Sequence, residues 1–203
     1  MGLKQESKIY EKRDMLMTKI VHGLFYLISL LPFWALYALS DVEYLIVYYI
    51  LRYRRRIVRK NLVSSLPEKS NSEIIGIEKG FYHWFCDYFF EAIKLLSINE
   101  ENLKKRFKVY NVEEVESCFE SGQNVAAILG HYCNWEWLSC MGLYFPEKVM
   151  GLIYHPLANR PFNELFKKIR SSCQGSVVIS KKHILRKLVE YRRKGIMSLF
   201  GYI

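Results

Sequence analysis

The chain has 203 residues, room for one packed domain and a short appended segment. At 51% hydrophobic and 25% charged residues it carries enough apolar side chain for a core, which excludes wholesale disorder. The formal net charge of +10 points to an anionic partner, and the aromatic content of 15%, much of it near the N-terminus, suits a chain that meets a bilayer interface.

The first element is Ile20 to Leu39, IVHGLFYLISLLPFWALYAL, a stretch without formal charge and long enough to cross a bilayer as a helix kinked at Pro32. It is too long for a signal peptide, and no small-residue cleavage site follows. Val42 to Leu51 is too short to span and reads as interfacial or re-entrant. A block of Arg52, Arg54, Arg55, Arg56, Arg59 and Lys60 comes next. Basic residues beside a membrane segment mark its cytoplasmic side and attract anionic head groups. The positive charge therefore reads as attachment to the cytoplasmic face of an inner membrane, and no nucleic-acid module accompanies it. The expected organisation is a membrane-associated helical segment over residues 1–66 and an α/β domain over residues 67–203.

Leu66-Pro67-Glu68-Lys69-Ser70-Asn71-Ser72 is a breaker. A helical pattern runs from Ser72 to about Ser97, with Ile74, Ile77, Phe81, Trp84, Phe85, Tyr88, Phe89, Ile93 and Leu96 at helical spacing; this aromatic stripe reads as core packing. Val125 to Leu129 is a fully apolar run ended by Gly130, the pattern of a buried parallel strand. Asn134 to Tyr144 reads as a helix, Lys148 to Tyr154 as a strand, and Pro161 to Arg170 as a helix opened by proline. Ser176 to Ile179 reads as a strand, His183 to Lys194 as a basic, solvated helix closed by Gly195, and Ile196 to Ile203 as a strand. Strand and helix alternate, which predicts an α/β fold: a mainly parallel sheet with flanking helices. A sequence that stops on an apolar strand reads as a fragment.

Ligands in open α/β sheets bind beyond the carboxyl ends of the strands. Gly130-His131-Tyr132-Cys133-Asn134-Trp135-Glu136 stands at such an end. Gly130 is expected to free the turn, and Asn134 to cap a helix carrying Glu136 in its first turn. That placement lets the carboxylate reach an imidazole nitrogen of His131 and leaves the other nitrogen to take a proton from a hydroxyl. Cys133 is the weaker nucleophile candidate, with no base assigned to it. Zinc-hydrolase, dinucleotide and P-loop motifs are absent, so neither metal nor cofactor is expected. The cysteines Cys86, Cys118, Cys133, Cys140 and Cys173 are odd in number and lack a C-x-x-C pair, so reduced thiols are expected.

Together these residues resemble the bacterial lipid A biosynthesis acyltransferases, within the wider H-x4-D/E acyltransferases. Arg59-Lys60-Asn61-Leu62, Leu66-Pro67-Glu68, Phe81-Tyr82, Glu91, Gly130-His131, Asn134-Trp135-Glu136, Tyr154-His155-Pro156, Asn159 and Arg170 carry the likeness. The resemblance implies transfer of a fatty acyl chain from an acyl thioester, on acyl carrier protein, to a hydroxyl of a lipid A precursor. It makes His131 and Glu136 the catalytic pair and Arg170 a contact for the substrate's anionic groups, and Asn134 is expected beside them as a second substrate contact. Alternatives are the same chemistry on a lysophospholipid or amino-acid lipid, and a truncated, non-catalytic lipid-binding relative. Two departures stand out: the family shows Tyr-Arg-Pro where His155 follows Tyr154 here, and its acidic motif beyond the last strand lies past Ile203.

Overall fold

The computed structural model describes residues 2–202, with side chains from Arg13 onward. Its centre is a four-stranded, wholly parallel sheet of β1 (Val125–Ala127), β2 (Val149–Tyr154), β3 (Ser176–Ser180) and β4 (Ser198–Tyr202), in spatial order β1-β4-β2-β3. This confirms the α/β expectation. Parallel strands need crossovers, and the segments between them supply helices. α7 (Arg160–Arg170) is capped by Asn159, which accepts from the Phe162 amide, and has Pro161 in its first turn. α8 (Ile184–Arg193) ends at Gly195, whose φ of 64° suits the left-handed stop expected there.

Strand alternation divides the core. Met150, Leu152, Tyr154 and Leu199 face α6 (Val112–Glu120) through Phe119 and Phe145. Ile179 and Phe200 face Tyr191 of α8. β1 departs from expectation: it is short, lies at the sheet edge, and Ile128 beyond it is 100% exposed. An edge strand with one open face can present an apolar run to solvent that a central strand would bury.

The N-terminal region corrects the expected span. α1 (Gly2–Ser29) ends before Pro32, and α2 (Phe33–Leu45) begins after it, so Ile20–Leu39 is two helices separated by a turn. Proline lacks an amide hydrogen and clashes with the preceding turn; here it stands at the N-cap of α2 and breaks the helix instead of kinking it. Among the described residues no single helix is long and apolar enough to cross a membrane, though Phe33–Ile50 and α3 (Arg55–Ser65), bent by 89°, pass that test as a pair. α2 runs into a π-helical turn, Ile46–Ile50. α1 lies against α7 and α4 (Asn71–Lys94), and α2 and the π-helical turn lie along α4, burying Leu36 and Tyr48 respectively. Their outer faces stay apolar: Leu27, Trp34, Ile50 and Leu51 all stand open.

α4 begins at a capping box, with Ser70 accepting from the Glu73 amide and Glu73 answering to the Ser70 amide. Its buried line is Ile74, Glu78, Tyr82, Cys86, Phe90 and Ile93. Most of the aromatic stripe expected in the core is offset from that line: Phe81 is exposed and Trp84, Phe85 and Tyr88 are only partly covered. Four residues per step follow the buried face more closely than the hydrophobic count suggests, because Glu78 occupies it.

Candidate active site

The parallel register places the C-terminal ends of all four strands on one edge, where the loops carrying His131 and His155 emerge. The 128–134 loop leaves β1 in an open, exposed course. Its left-handed residue is Cys133 at φ 52°; Gly130 adopts no positive φ and has open space around it, so the turn falls three residues later than expected. A non-glycine residue in that region is strained, and such strain collects at functional loops. His131 is exposed, with its ring 5.1 Å from that of Trp135.

Glu136 lies elsewhere. Trp135–Leu143 is a 3₁₀ helix, not an α-helix, and Asn134 gives it no side-chain cap. The tighter winding turns Glu136 inward, where it is 1% exposed. Arg170 grips its carboxylate with two hydrogen bonds of 2.7 Å, from Nε and Nη2, and the Tyr88 hydroxyl donates to Oε1 at 3.0 Å. No hydrogen bond joins it to His131, so the expected carboxylate–imidazole contact is absent. Burial, and then the Glu136 charge, push the Tyr88 phenol far above its ordinary value, so it remains a donor.

Arg170 is 8% exposed and spends both of those donors on Glu136; its guanidinium also stands 5.5 Å from the Phe166 ring and 5.8 Å from the Tyr154 ring. A planar fork on a carboxylate is the strong form of an ion pair. Asn134, instead of capping, donates to the Tyr88 carbonyl at 3.0 Å and to Glu91 at 2.9 Å, and its Oδ1 is buried without a partner. Glu91 also accepts from the Tyr37 hydroxyl, while the Trp137 indole donates to its backbone carbonyl. These bonds tie α2, α4 and the 134–137 segment together.

The structure thus gathers Glu136, Arg170 and Asn134 into one buried network with Tyr88 and Glu91, and leaves His131 at its rim on Trp135. Trp135 connects the two, 4.6 Å from the Tyr88 ring on one side and 5.1 Å from His131 on the other. In the sequence Tyr88 is one of many aromatics in a stripe, with nothing to mark its bond to Glu136. Glu91 was visible as an acidic residue on an apolar helix face.

Cys140 and Cys173 form a disulfide across 33 residues, which overturns the expectation of five thiols; Cys86, Cys118 and Cys133 are free. Sequence spacing could not signal it, because tertiary packing of the 3₁₀ helix against the end of α7 brings the two together. Gly142 lets that approach happen, since a Cβ there would collide with the Gln174 carbonyl. Among the described residues no cluster of His, Cys, Asp and Glu could hold a metal ion.

A buried ion pair thus lies behind a strand-end histidine on an α/β scaffold. A search among characterised proteins finds no match to the chain. The family model described as bacterial lipid A biosynthesis acyltransferase matches residues 3–200. The chain therefore belongs to the bacterial lipid A biosynthesis acyltransferases, a family of acyl-transferring enzymes.

Proposed function

We propose that the chain moves a fatty acyl group from acyl carrier protein to a hydroxyl of a lipid A precursor, with His131 as general base. The acceptor hydroxyl attacks the thioester carbonyl while His131 takes its proton. The tetrahedral adduct then expels the thiolate, which recovers that proton from the imidazolium. An ester forms, a thioester breaks, and no cofactor enters the balance. The observation that carries this reading is the exposed imidazole of His131 at the carboxyl edge of the sheet.

Glu136 belongs to this machinery as a positioning residue. It holds Tyr88, Tyr88 packs on Trp135, and Trp135 supports the His131 ring. Arg170 completes Glu136, and the unpaired Oδ1 of Asn134 offers an acceptor for a substrate donor. The enzyme works at the cytoplasmic face of the inner membrane, held there by the open apolar faces of α1 and α2 and by the arginines that follow.

The test is acyl transfer by His131→Ala. Loss of a general base should lower the rate by about 10²–10⁴-fold with folding intact. Turnover near wild type by a folded variant would remove His131 from the chemistry.

A further inference from the structure

Glu91 takes no part in the proposed proton transfer, yet it stands where three segments meet. Its Oε1 accepts from the Tyr37 hydroxyl of α2 at 2.9 Å, and its Oε2 accepts from Asn134 Nδ2 at 2.9 Å. Its backbone carbonyl accepts from the Trp137 indole at 3.1 Å. Phe33, at the start of α2, lies 6.4 Å from the Trp137 ring. α2 therefore reaches the 134–137 segment twice, once by apolar contact and once through a carboxylate. Burial, and then the bond to Glu91, push the Tyr37 phenol up to about 12, so it stays a donor throughout the neutral range.

What the carboxylate holds is one end of the His131 loop. His131 stands three residues before Asn134. Among the described residues no side chain from Ile128 to Cys133 makes a hydrogen bond, so β1 fixes the loop's start and Asn134 its finish. Asn134 Nδ2 carries two protons, and both are committed, one to the Tyr88 carbonyl at 3.0 Å and one to Glu91. The amide cannot turn over without setting its oxygen against two acceptors. Taking away the Glu91 acceptor would free one proton and let Asn134 turn, and the imidazole three residues away would move with it. A displacement of about 1 Å at a reacting group can cost on the order of 10²-fold in rate.

Other polar contacts also seat α2 on α4. Ser40, one turn beyond Tyr37, donates to Asp87 at 2.6 Å, and the Tyr48 hydroxyl in the π-helical turn donates to Glu78 at 3.0 Å. Asp87 and Glu78 lie on α4 as Glu91 does, but among the described residues neither bonds to the 134–137 segment. The pair at Tyr37 differs from them by continuing into the catalytic segment.

We propose that Glu91 is a positioning residue for acyl transfer: a hydrogen-bonded clamp that joins Tyr37 of α2 to Asn134 and so sets where the loop carries His131. This role rests on the reading of His131 as the base, whereas the clamp's hold on the segment does not. The bonds do the holding, and the charge is incidental. Glu91→Gln can keep both, its amide oxygen accepting from Asn134 and its amide nitrogen donating to the Tyr37 oxygen. Glu91→Met fills similar space and keeps neither.

Two measurements on the full chain test this. One is steady-state transfer of a radiolabelled acyl group from acyl carrier protein to a lipid A precursor. The other is hydrogen exchange over residues 134–143, read by mass spectrometry. Glu91→Met should lower kcat by about 10–10²-fold with KM nearly unchanged, the sign of an interaction felt in the transition state and not in substrate binding. Tyr37→Phe, which deletes a single oxygen, should lower kcat by about 3–10-fold. Glu91→Gln should stay close to wild type. So should Ser40→Ala, which removes a seating bond of α2 outside the clamp. Exchange should quicken in Glu91→Met and Tyr37→Phe and hold steady in the other two. Glu91→Gln as slow as Glu91→Met would mean that the charge acts, and would overturn the clamp. Ser40→Ala as slow as Tyr37→Phe would reduce the effect to a loosened α2 and overturn it too, as would unchanged exchange in Glu91→Met. A raised KM with kcat retained would make Glu91 a substrate contact instead. If circular dichroism shows Glu91→Met unfolded, Tyr37→Phe against Ser40→Ala decides. Retained transfer by His131→Ala would remove the base while the exchange differences still showed the clamp. Loss of transfer in that variant, with no exchange difference among the others, would do the reverse.

Discussion

Glu136 and Glu78 are two buried carboxylates that use arginine differently. Glu78 is gripped by partly exposed Arg55 and Arg59, while Glu136 is gripped by an Arg170 that is itself buried. Burial would push the Glu78 carboxyl up, but hydrogen bonds from Arg59, Tyr48 and Arg55 and the Arg59 charge outweigh it and hold it below the usual range. A depressed carboxylate adds stability above its unfolded pKa and loses it as pH falls through the folded one. Glu78→Gln should therefore lower stability by about 1–3 kcal/mol at neutral pH. The gap from wild type should close below about pH 4, the ordinary carboxylate range. Thermal melts across that window measure it, and a gap that widened in acid would contradict the ion pair. At Glu136 the question is kinetic. Glu136→Gln should slow transfer by loosening Tyr88 and Trp135, yet leave the acid limb of the pH–rate profile in place, because no carboxylate touches His131. A limb displaced to lower pH would mean that the charge acts on the imidazole directly. His131 and Glu136 are both legible in the sequence as candidates. Their contact was misjudged because it assumed an α-helical start at Asn134, and a 3₁₀ turn rotates position 136 to the other side.

Among elements, those with a chemical stop signal were legible. Pro161 and Gly195 each mark a boundary by restricted or left-handed φ, and α7 and α8 lie within a residue of where those signals put them, while α4 opens at Asn71, on a Ser70–Glu73 capping box, one residue ahead of the expected Ser72. Ser70→Ala should cost about 1 kcal/mol, the usual worth of such a cap, read by chemical denaturation. Pro32 was equally visible, but its effect depends on geometry that sequence does not state. A proline inside a helix kinks it, whereas one at an N-cap ends one helix and starts another, and here the second outcome lets both halves lie on α4. The α4 stripe was misread for a related reason. Apolar spacing identifies a helix face, and only the neighbours decide whether that face is closed.

At the scale of the molecule, α1, α2 and the π-helical turn act as a wrapping whose inner side is core and whose outer side is apolar. Trp34 and Ile50 are 75% and 72% exposed. Exposed apolar area of this extent marks an interaction surface. Replacing Leu27, Trp34 and Ile50 together by Ser should shift the protein from the membrane to the soluble fraction, while a salt wash alone leaves wild type bound, since screening acts on charge and not on buried apolar area. Release of wild type by salt would place the attachment in the arginines alone. Deleting the first 51 residues would be a poor version of this experiment, because Leu36 and Tyr48 would leave holes along α4.

The disulfide sits in a particular place: Cys140 is four residues after Glu136, and Cys173 is three after Arg170. Two cross-links, one covalent and one ionic, thus fasten the same pair of elements side by side. On the chain-entropy account the covalent one is worth roughly 3–4 kcal/mol for a loop of this size. It also raises the effective concentration of Arg170 at Glu136, so each link strengthens the other. In a double-mutant cycle, Arg170→Gln should be severe in either state, because it leaves the Glu136 carboxylate buried without its partner, and more costly in oxidised protein than under thiol reductant, so that the two losses together fall short of their sum. On the cytoplasmic face proposed above, where thiols are kept reduced, the ion pair would carry the joint alone. Protein purified in air would then look sturdier than the same protein at work.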